Sequence, residues 1–175
     1  MADTTTQPKK QVSNSETHSK NVLGPVSFTL CDLRLRGLAE ASEVPSVAPD
    51  QSPYIIASNE PFEIEVDVEF NRSPLTSLLL CLGTKMTVCF SFEGIGAKAV
   101  EIDLEEAQLT YKDVYKYTLT WKGTPEEAGL TAGFYGIAAV ATIGPVEHPC
   151  APKCAMGYGY IAGLLLQVYE AFDCH

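Results

Sequence analysis

Residues 62–70 read FEIEVDVEF, an alternation of apolar and acidic residues that runs without a break. Successive side chains of a β-strand point to opposite faces, so this period of two predicts a strand with one buried and one exposed face. The same period recurs in residues 84–92, 100–104 and 115–121. We therefore predict an all-β chain.

Three further strands complete the pattern. Residues 26–30 alternate, whereas residues 134–143 and 158–169 are uncharged and predict strands that are buried more completely. About seven strands separated by turn residues are typical of an antiparallel β-sandwich. Residues 124–127, Thr-Pro-Glu-Glu, predict one helical turn with Thr124 as its cap.

The length of 175 residues is ordinary for one domain. Residues 1–22 are rich in Thr, Ser, Asn, Gln and Lys and contain almost no large apolar side chain. Such a segment buries too little apolar surface to offset the entropy lost on ordering. We predict a disordered tail over residues 1–22 and a single β-sandwich domain over residues 23–175.

A local resemblance lies in the C-terminal half. Residues 117–121 (YTLTW), the Thr124 turn and residues 130–140 (LTAGFYGIAAV) resemble the late strands of immunoglobulin-like sandwich modules of bacterial proteins. The resemblance implies an immunoglobulin-like sandwich in which Tyr135 braces the preceding corner and Gly133 gives the turn. The Cys, Trp, Cys spacing of antibody domains is absent from the sequence. The resemblance implies a fold and no function.

The net charge of -10 argues against a nucleic-acid partner, because phosphate binding is built on clustered Lys and Arg. The N-terminal residues lack the apolar core of a secretory signal, so we expect a cytoplasmic protein. Residues 128–146 are uncharged and long enough to cross a bilayer, but they are rich in Gly and Thr rather than Leu and Ile. We predict no membrane span.

One candidate site is the row of carboxylates on the strand 62–70, formed by Glu63, Glu65, Asp67 and Glu69. Steps of two residues separate them by about 6.6 Å along one face, so they do not converge as calcium ligands do. Two interpretations stay open. The row contacts a basic protein partner, or it is a solvated face whose charges pair across strands with Lys85, Lys116 or Lys122.

The second candidate site is the loop that holds His148, Cys150 and Cys154. Zinc takes nitrogen and sulfur ligands, and Cys174 or His175 would supply a fourth if the C-terminus folded back. The alternatives are a bridge between the two loop cysteines and inert reduced cysteines. Two other cysteines, at positions 81 and 89, are expected as small core residues.

No catalytic motif accompanies these sites. The sequence contains no nucleophile elbow, phosphate loop or dinucleotide fingerprint, and of its three histidines one lies in the predicted tail and one is the last residue. We therefore expect a non-enzymatic binding or assembly module that acts through protein contacts or self-association. The alternative function is a metal- or redox-responsive protein that uses the His and Cys residues of the 148–154 loop.

Overall fold

The computed structural model describes residues 26–38, 54–96, 100–144 and 157–171, together with the backbone of residues 14–16. These residues form nine β-strands and two short helices, so the fold is all-β as predicted. In chain order the elements are β1 (Asn14–Glu16), β2 (Phe28–Gly37), β3 (Ile55–Ala57), β4 (Phe62–Phe70), α1 (Pro74–Cys81), β5 (Lys85–Ile95), β6 (Glu101–Leu109), β7 (Lys116–Gly123), α2 (Pro125–Ala128), β8 (Gly133–Gly144) and β9 (Gly157–Tyr169).

The strands form two sheets around one core. Sheet A has the order β1-β9-β8-β5-β6, with β3 parallel to β9, and sheet B has the order β2-β4-β7. The buried apolar side chains of both sheets form a single cluster. Phe62 of sheet B, for example, meets Phe92 of sheet A edge-on at a ring distance of 6.3 Å. Neither helix of the described residues is long and apolar enough to span a membrane.

Part of the predicted tail contributes to sheet A. The short strand β1 pairs antiparallel with β9, where Glu16 lies opposite Tyr160. The rest of the predicted tail, residues 1–13 and 17–22, lies outside the described residues.

A β-bulge in β2 sets which side chains of that strand face outward. Leu30 and Leu33 are both buried although they are three residues apart, which a regular strand does not permit. Asp32 absorbs the extra residue with a φ of 56°, and the pairing with β4 shifts at this point. Arg34 and Arg36 consequently lie on the outer face of sheet B. The predicted first strand ended at residue 30 because the alternation breaks there.

A second irregularity in β9 has the same effect on sheet A. Ile161 and Leu164 are both buried, and Gly163 between them has a φ of 112°, which suits glycine. The pairing with β8 shifts here. As a result Leu165 points away from the core and is 57% exposed.

The corner before β8 carries the brace that the resemblance implies. The Tyr135 hydroxyl accepts a hydrogen bond from the Thr131 amide at 3.0 Å and donates one to the Thr131 carbonyl at 2.7 Å. The position of the turn glycine was predicted wrongly. Gly129, at the end of α2, has the left-handed φ of 79°, whereas Gly133 is simply the first residue of β8.

Both helices begin at a proline that follows a capping hydroxyl. Thr124 caps α2, as predicted, and forms a reciprocal capping box with Glu127. Ser73 caps α1 by accepting a hydrogen bond from the Thr76 amide at 3.1 Å. Helix α1 was not predicted, although Ser73-Pro74 carries the same start signal as Thr124-Pro125.

Candidate functional site

The predicted acidic row lies on the outer face of β4, the central strand of sheet B. The edge strands β2 and β7 bring four cations to the same face, so the four negative charges are balanced. The ion pairs are Arg34–Glu65 (2.7 Å), Arg34–Asp67 (3.2 Å), Arg36–Glu63, Lys116–Asp67 (2.9 Å), Lys116–Glu69 (2.9 Å) and Lys122–Glu63 (2.8 Å). Lys85, the third cation considered from the sequence, lies on β5 of the other sheet.

Glu63 is the most deeply buried member of the row, with 1% of its surface exposed. The hydrogen bond from Lys122 lowers the pKa of Glu63, burial opposes this, and Arg36 supports it, so the pKa lies below its usual value. The carboxylate is therefore charged at neutral pH and held from both sides.

Asp67 is the second buried acid and is 4% exposed. Burial alone would raise the pKa of Asp67. Hydrogen bonds from Lys116 and Thr118 and the charge of Arg34 outweigh burial and lower it. The Thr118 hydroxyl donates at 2.8 Å. Asp67 thus ties all three strands of sheet B together.

These shifts predict acid sensitivity. Folded-state pKa values below the unfolded value of about 4 mean that Glu63 and Asp67 bind fewer protons when folded. Their contribution is complete above about pH 4 and is lost as the pH falls through the folded-state pKa values. Urea unfolding at pH 7, 4 and 3 should show this loss, and a Glu63→Gln/Asp67→Asn variant should lose less between pH 4 and pH 3. An equal loss in both proteins would contradict the assignment.

A shallow recess of about 170 Å³ adjoins this network and is lined by Arg34, Leu35, Arg36, Glu63 and Glu65. Its charged side chains already bind one another. A basic partner of the predicted acidic row would have to displace these internal ion pairs, and the use of the row as a binding site stays a prediction.

The predicted zinc ligands His148, Cys150 and Cys154 lie outside the described residues, as do Cys174 and His175. Within the described part of the chain, no three His, Cys, Asp or Glu side chains form a cluster that could hold a metal ion. The zinc site and the redox alternative both stay predictions.

Three described cysteines are free thiols: Cys31, Cys81 and Cys89. Cys81 is exposed at the end of α1 and Cys89 is half-buried, so the expectation that both are core residues was wrong. Burial raises the pKa of Cys31 and of Cys89, and nearby acids raise both further. These two thiols are consequently poor nucleophiles at neutral pH.

The outer face of sheet A carries a group of exposed apolar side chains that were not predicted as a site. We define the apolar strip as Ile95 (62% exposed), Phe134 (57%), Tyr158 (54%), Tyr160 (41%) and Leu165 (57%). They come from β5, β8 and β9, which are neighbours in the sheet. In the strand register Ile95 lies directly opposite Phe134 and Leu165 opposite Gly136, whereas Tyr160 and Tyr158 lie further along β8, opposite Val140 and Thr142.

The same face carries acids that lack the cations found on sheet B. We define the open acidic row as Glu93 of β5 with Glu101, Asp103 and Glu105 of β6, all of them exposed. Among the described residues, no Lys or Arg forms an ion pair with these four. The Ser91 hydroxyl donates a hydrogen bond to Asp103 at 2.5 Å. The two sheets therefore present electrically different outer faces.

Comparisons with known proteins add little to this geometry. No family model and no curated protein matches the sequence. Among solved structures, a β-glucosidase from Listeria innocua in complex with gluconolactone is similar over 87% of this chain, with 11% identity and a TM-score of 0.38. This chain spans 16% of the glucosidase. A similarity of this size carries no argument about fold or function.

The two strands that carry most of the apolar strip are uncharged in the sequence, and this pattern predicts burial and not a site. Residues 134–143 and 158–169 have no charge on either face, a pattern that predicts burial on both sides. Only one face of β9 is buried, and Tyr158, Tyr160 and Leu165 lie on the other. Burial and partner binding both favour an uncharged strand face, so the sequence pattern alone does not separate the two.

Proposed function

We propose that this chain is a non-enzymatic binding or assembly module that docks a protein partner on the outer face of sheet A. The observation that carries the proposal is the apolar strip, in which five large apolar side chains are at least 41% exposed on one face. Exposed apolar residues scattered singly need no explanation, whereas a group on one surface is typical of an interaction site.

The composition of the face supports a protein as the partner. Phe134, Tyr158 and Tyr160 are aromatic, and aromatic residues are enriched in the energetically dominant parts of protein interfaces. Around them lie small or weakly polar outward-facing residues of β8, such as Ala138 and Thr142, which leave the face open to close approach.

The immunoglobulin-like form of the sandwich belongs to the same proposal. Its support is the Tyr135 brace to Thr131 described above, which matches the tyrosine of the resembled modules. Sandwich modules of this kind present sheet faces and loops to partners on a rigid core, and the described core is continuous between the two sheets.

Site-specific photo-crosslinking in cells of the source organism tests the proposal. The residue p-benzoyl-phenylalanine replaces Tyr160 or Leu165 on the proposed face, and Glu69, on the outer face of sheet B, serves as the matched exposed control. We expect a discrete protein adduct from positions 160 and 165, because the probe lies inside the contact, and none from position 69.

An adduct from position 69 alone, or none from any position, would overturn the proposed face. The adduct should also disappear when Phe134 is replaced by aspartate, because the buried charge would oppose docking. Persistence of the adduct in that variant would likewise count against the proposal.

A further inference from the structure

Gly136 leaves a gap in the apolar strip beside Phe134 and Leu165. Its strand neighbours across the sheet are Leu165 on β9 and Glu93 on β5, and Phe134 is the next outward residue on its own strand. A Cβ atom added at Gly136 would meet nothing closer than the Glu93 carbonyl oxygen at 4.0 Å. The space above Gly136 is therefore open and is bordered by Phe134 and Leu165.

One end of this gap is strongly negative. Glu93 lies directly opposite Glu101 in the β5–β6 register, and both side chains are exposed. Like charges in directly opposite positions of an antiparallel pair are destabilising. A cation placed beside them would remove this repulsion. The four positions Leu165, Gly136, Glu93 and Glu101 thus form one row that runs from apolar to acidic across the sheet.

We infer that the partner presents a lysine or arginine to this row: its aliphatic part lies above Gly136 between Phe134 and Leu165, and its charge reaches Glu93 and Glu101. The inference rests on the proposed function. Neighbouring strands are about 4.8 Å apart, so Glu93 is one strand spacing from Gly136 and Glu101 is two. Long basic side chains combine an apolar stem with a charged head in this way, and Phe134 adds a ring face for the cation.

A second copy of this chain fits the face less well. In a two-fold dimer the same surface contributes from both subunits, and this surface contributes acids near Gly136 without a matching cation. Lys85 is the one cation on the outer face of sheet A among the described residues, and it lies opposite Gly144, eight residues along β8 from Gly136. Such a dimer would cover Glu93 and Glu101 without a partner, which is costly.

The test uses the full chain and three fluorescent 12-residue peptides in which leucine alternates with lysine, serine or glutamate. We expect fluorescence anisotropy to show binding of the lysine peptide, weakening with added salt, and at least tenfold weaker binding of the other two. Gly136→Leu should weaken binding of the lysine peptide at least tenfold by filling the gap, whereas Gly144→Leu, on the same strand face, should change it less than twofold.

Charge variants separate the site from general attraction to an acidic protein. Glu93→Gln/Glu101→Gln should weaken binding at least tenfold, and the control Glu69→Gln/Glu126→Gln, with the same net charge, should change it less than threefold. Equal effects of the two variants, or an unchanged affinity in Gly136→Leu, would overturn the inference.

The two proposals fail in different ways. A photo-adduct from position 160 together with no selective lysine-peptide binding would leave the proposed function standing and remove the basic partner. An adduct that contains a second copy of this chain would make the occupant a dimer and overturn the inference as well. Selective peptide binding without any adduct would show that the row binds a basic side chain and would overturn the proposed function.

Discussion

Replacing Phe62 with alanine should lower the free energy of unfolding by about 3–5 kcal/mol. Phe62 has no exposed surface, and its ring meets Phe92 at 6.3 Å and Trp121 at 5.2 Å. The substitution removes apolar contacts of both sheets and leaves a cavity that the close-packed core cannot fill. Chemical denaturation measures the loss directly, and the melting temperature should fall by roughly 6–20 °C.

Phe134→Ala is the matched control because it removes the same side chain from the outer face of sheet A. With Phe134 57% exposed, the free energy of unfolding should change by less than about 0.5 kcal/mol. Comparable losses in the two variants would show that Phe134 is a core residue, and the proposed docking face would then lose its main aromatic side chain.

Removing both cations from Glu63 should have a second large effect. In the Arg36→Met/Lys122→Met variant the carboxylate stays buried, with 2% of its side chain exposed, but both ion pairs are lost. Breaking a buried ion pair from one side typically costs about 3–5 kcal/mol, because an uncompensated charge is left behind. Chemical denaturation at pH 7 should show this loss, and at pH 4 the loss should be smaller because protonation relieves the charge.

Two further variants test the explanation. Adding Glu63→Leu to the double variant should restore most of the stability, since an apolar group then fills the buried position. Lys85→Met/Lys112→Met removes the same number of positive charges away from Glu63 and should change the free energy of unfolding by less than about 1 kcal/mol. Failure of Glu63→Leu to restore stability would mean that the cations act through packing alone.

The strands were predictable because their signal is local. The strand predicted over residues 62–70 has the same first and last residue as β4 in the structure, since each apolar residue of that segment faces the core. The bulge at Asp32 was not predictable in the same way. It depends on the pairing of β2 with β4, which lies about thirty residues away in the chain, and alternation alone ends the strand too early.

The candidate sites show the limit of local patterns more clearly. The segments around Glu63 and around Glu101 have the same alternation of acidic and apolar residues. The first acquires four cations from β2 and β7, whereas the second has Glu93 as its cross-strand neighbour. Whether an acidic row is neutral or open depends on which strands lie beside it, and the sequence pattern of one strand does not contain that information.

Because of the single extra residue at Asp32, the core-facing positions of β2 change from even-numbered residues before the bulge to odd-numbered residues after it. A regular strand through the same residues would turn Leu33 and Leu35 to water and two arginines toward the phenylalanines of the core. Deleting the extra residue would instead restore the alternation and leave both leucines in the core. For the comparison of distant relatives, a one-residue gap at this position therefore indicates a strand without the bulge. A relative that carries the gap can keep the second half of the strand, charges included.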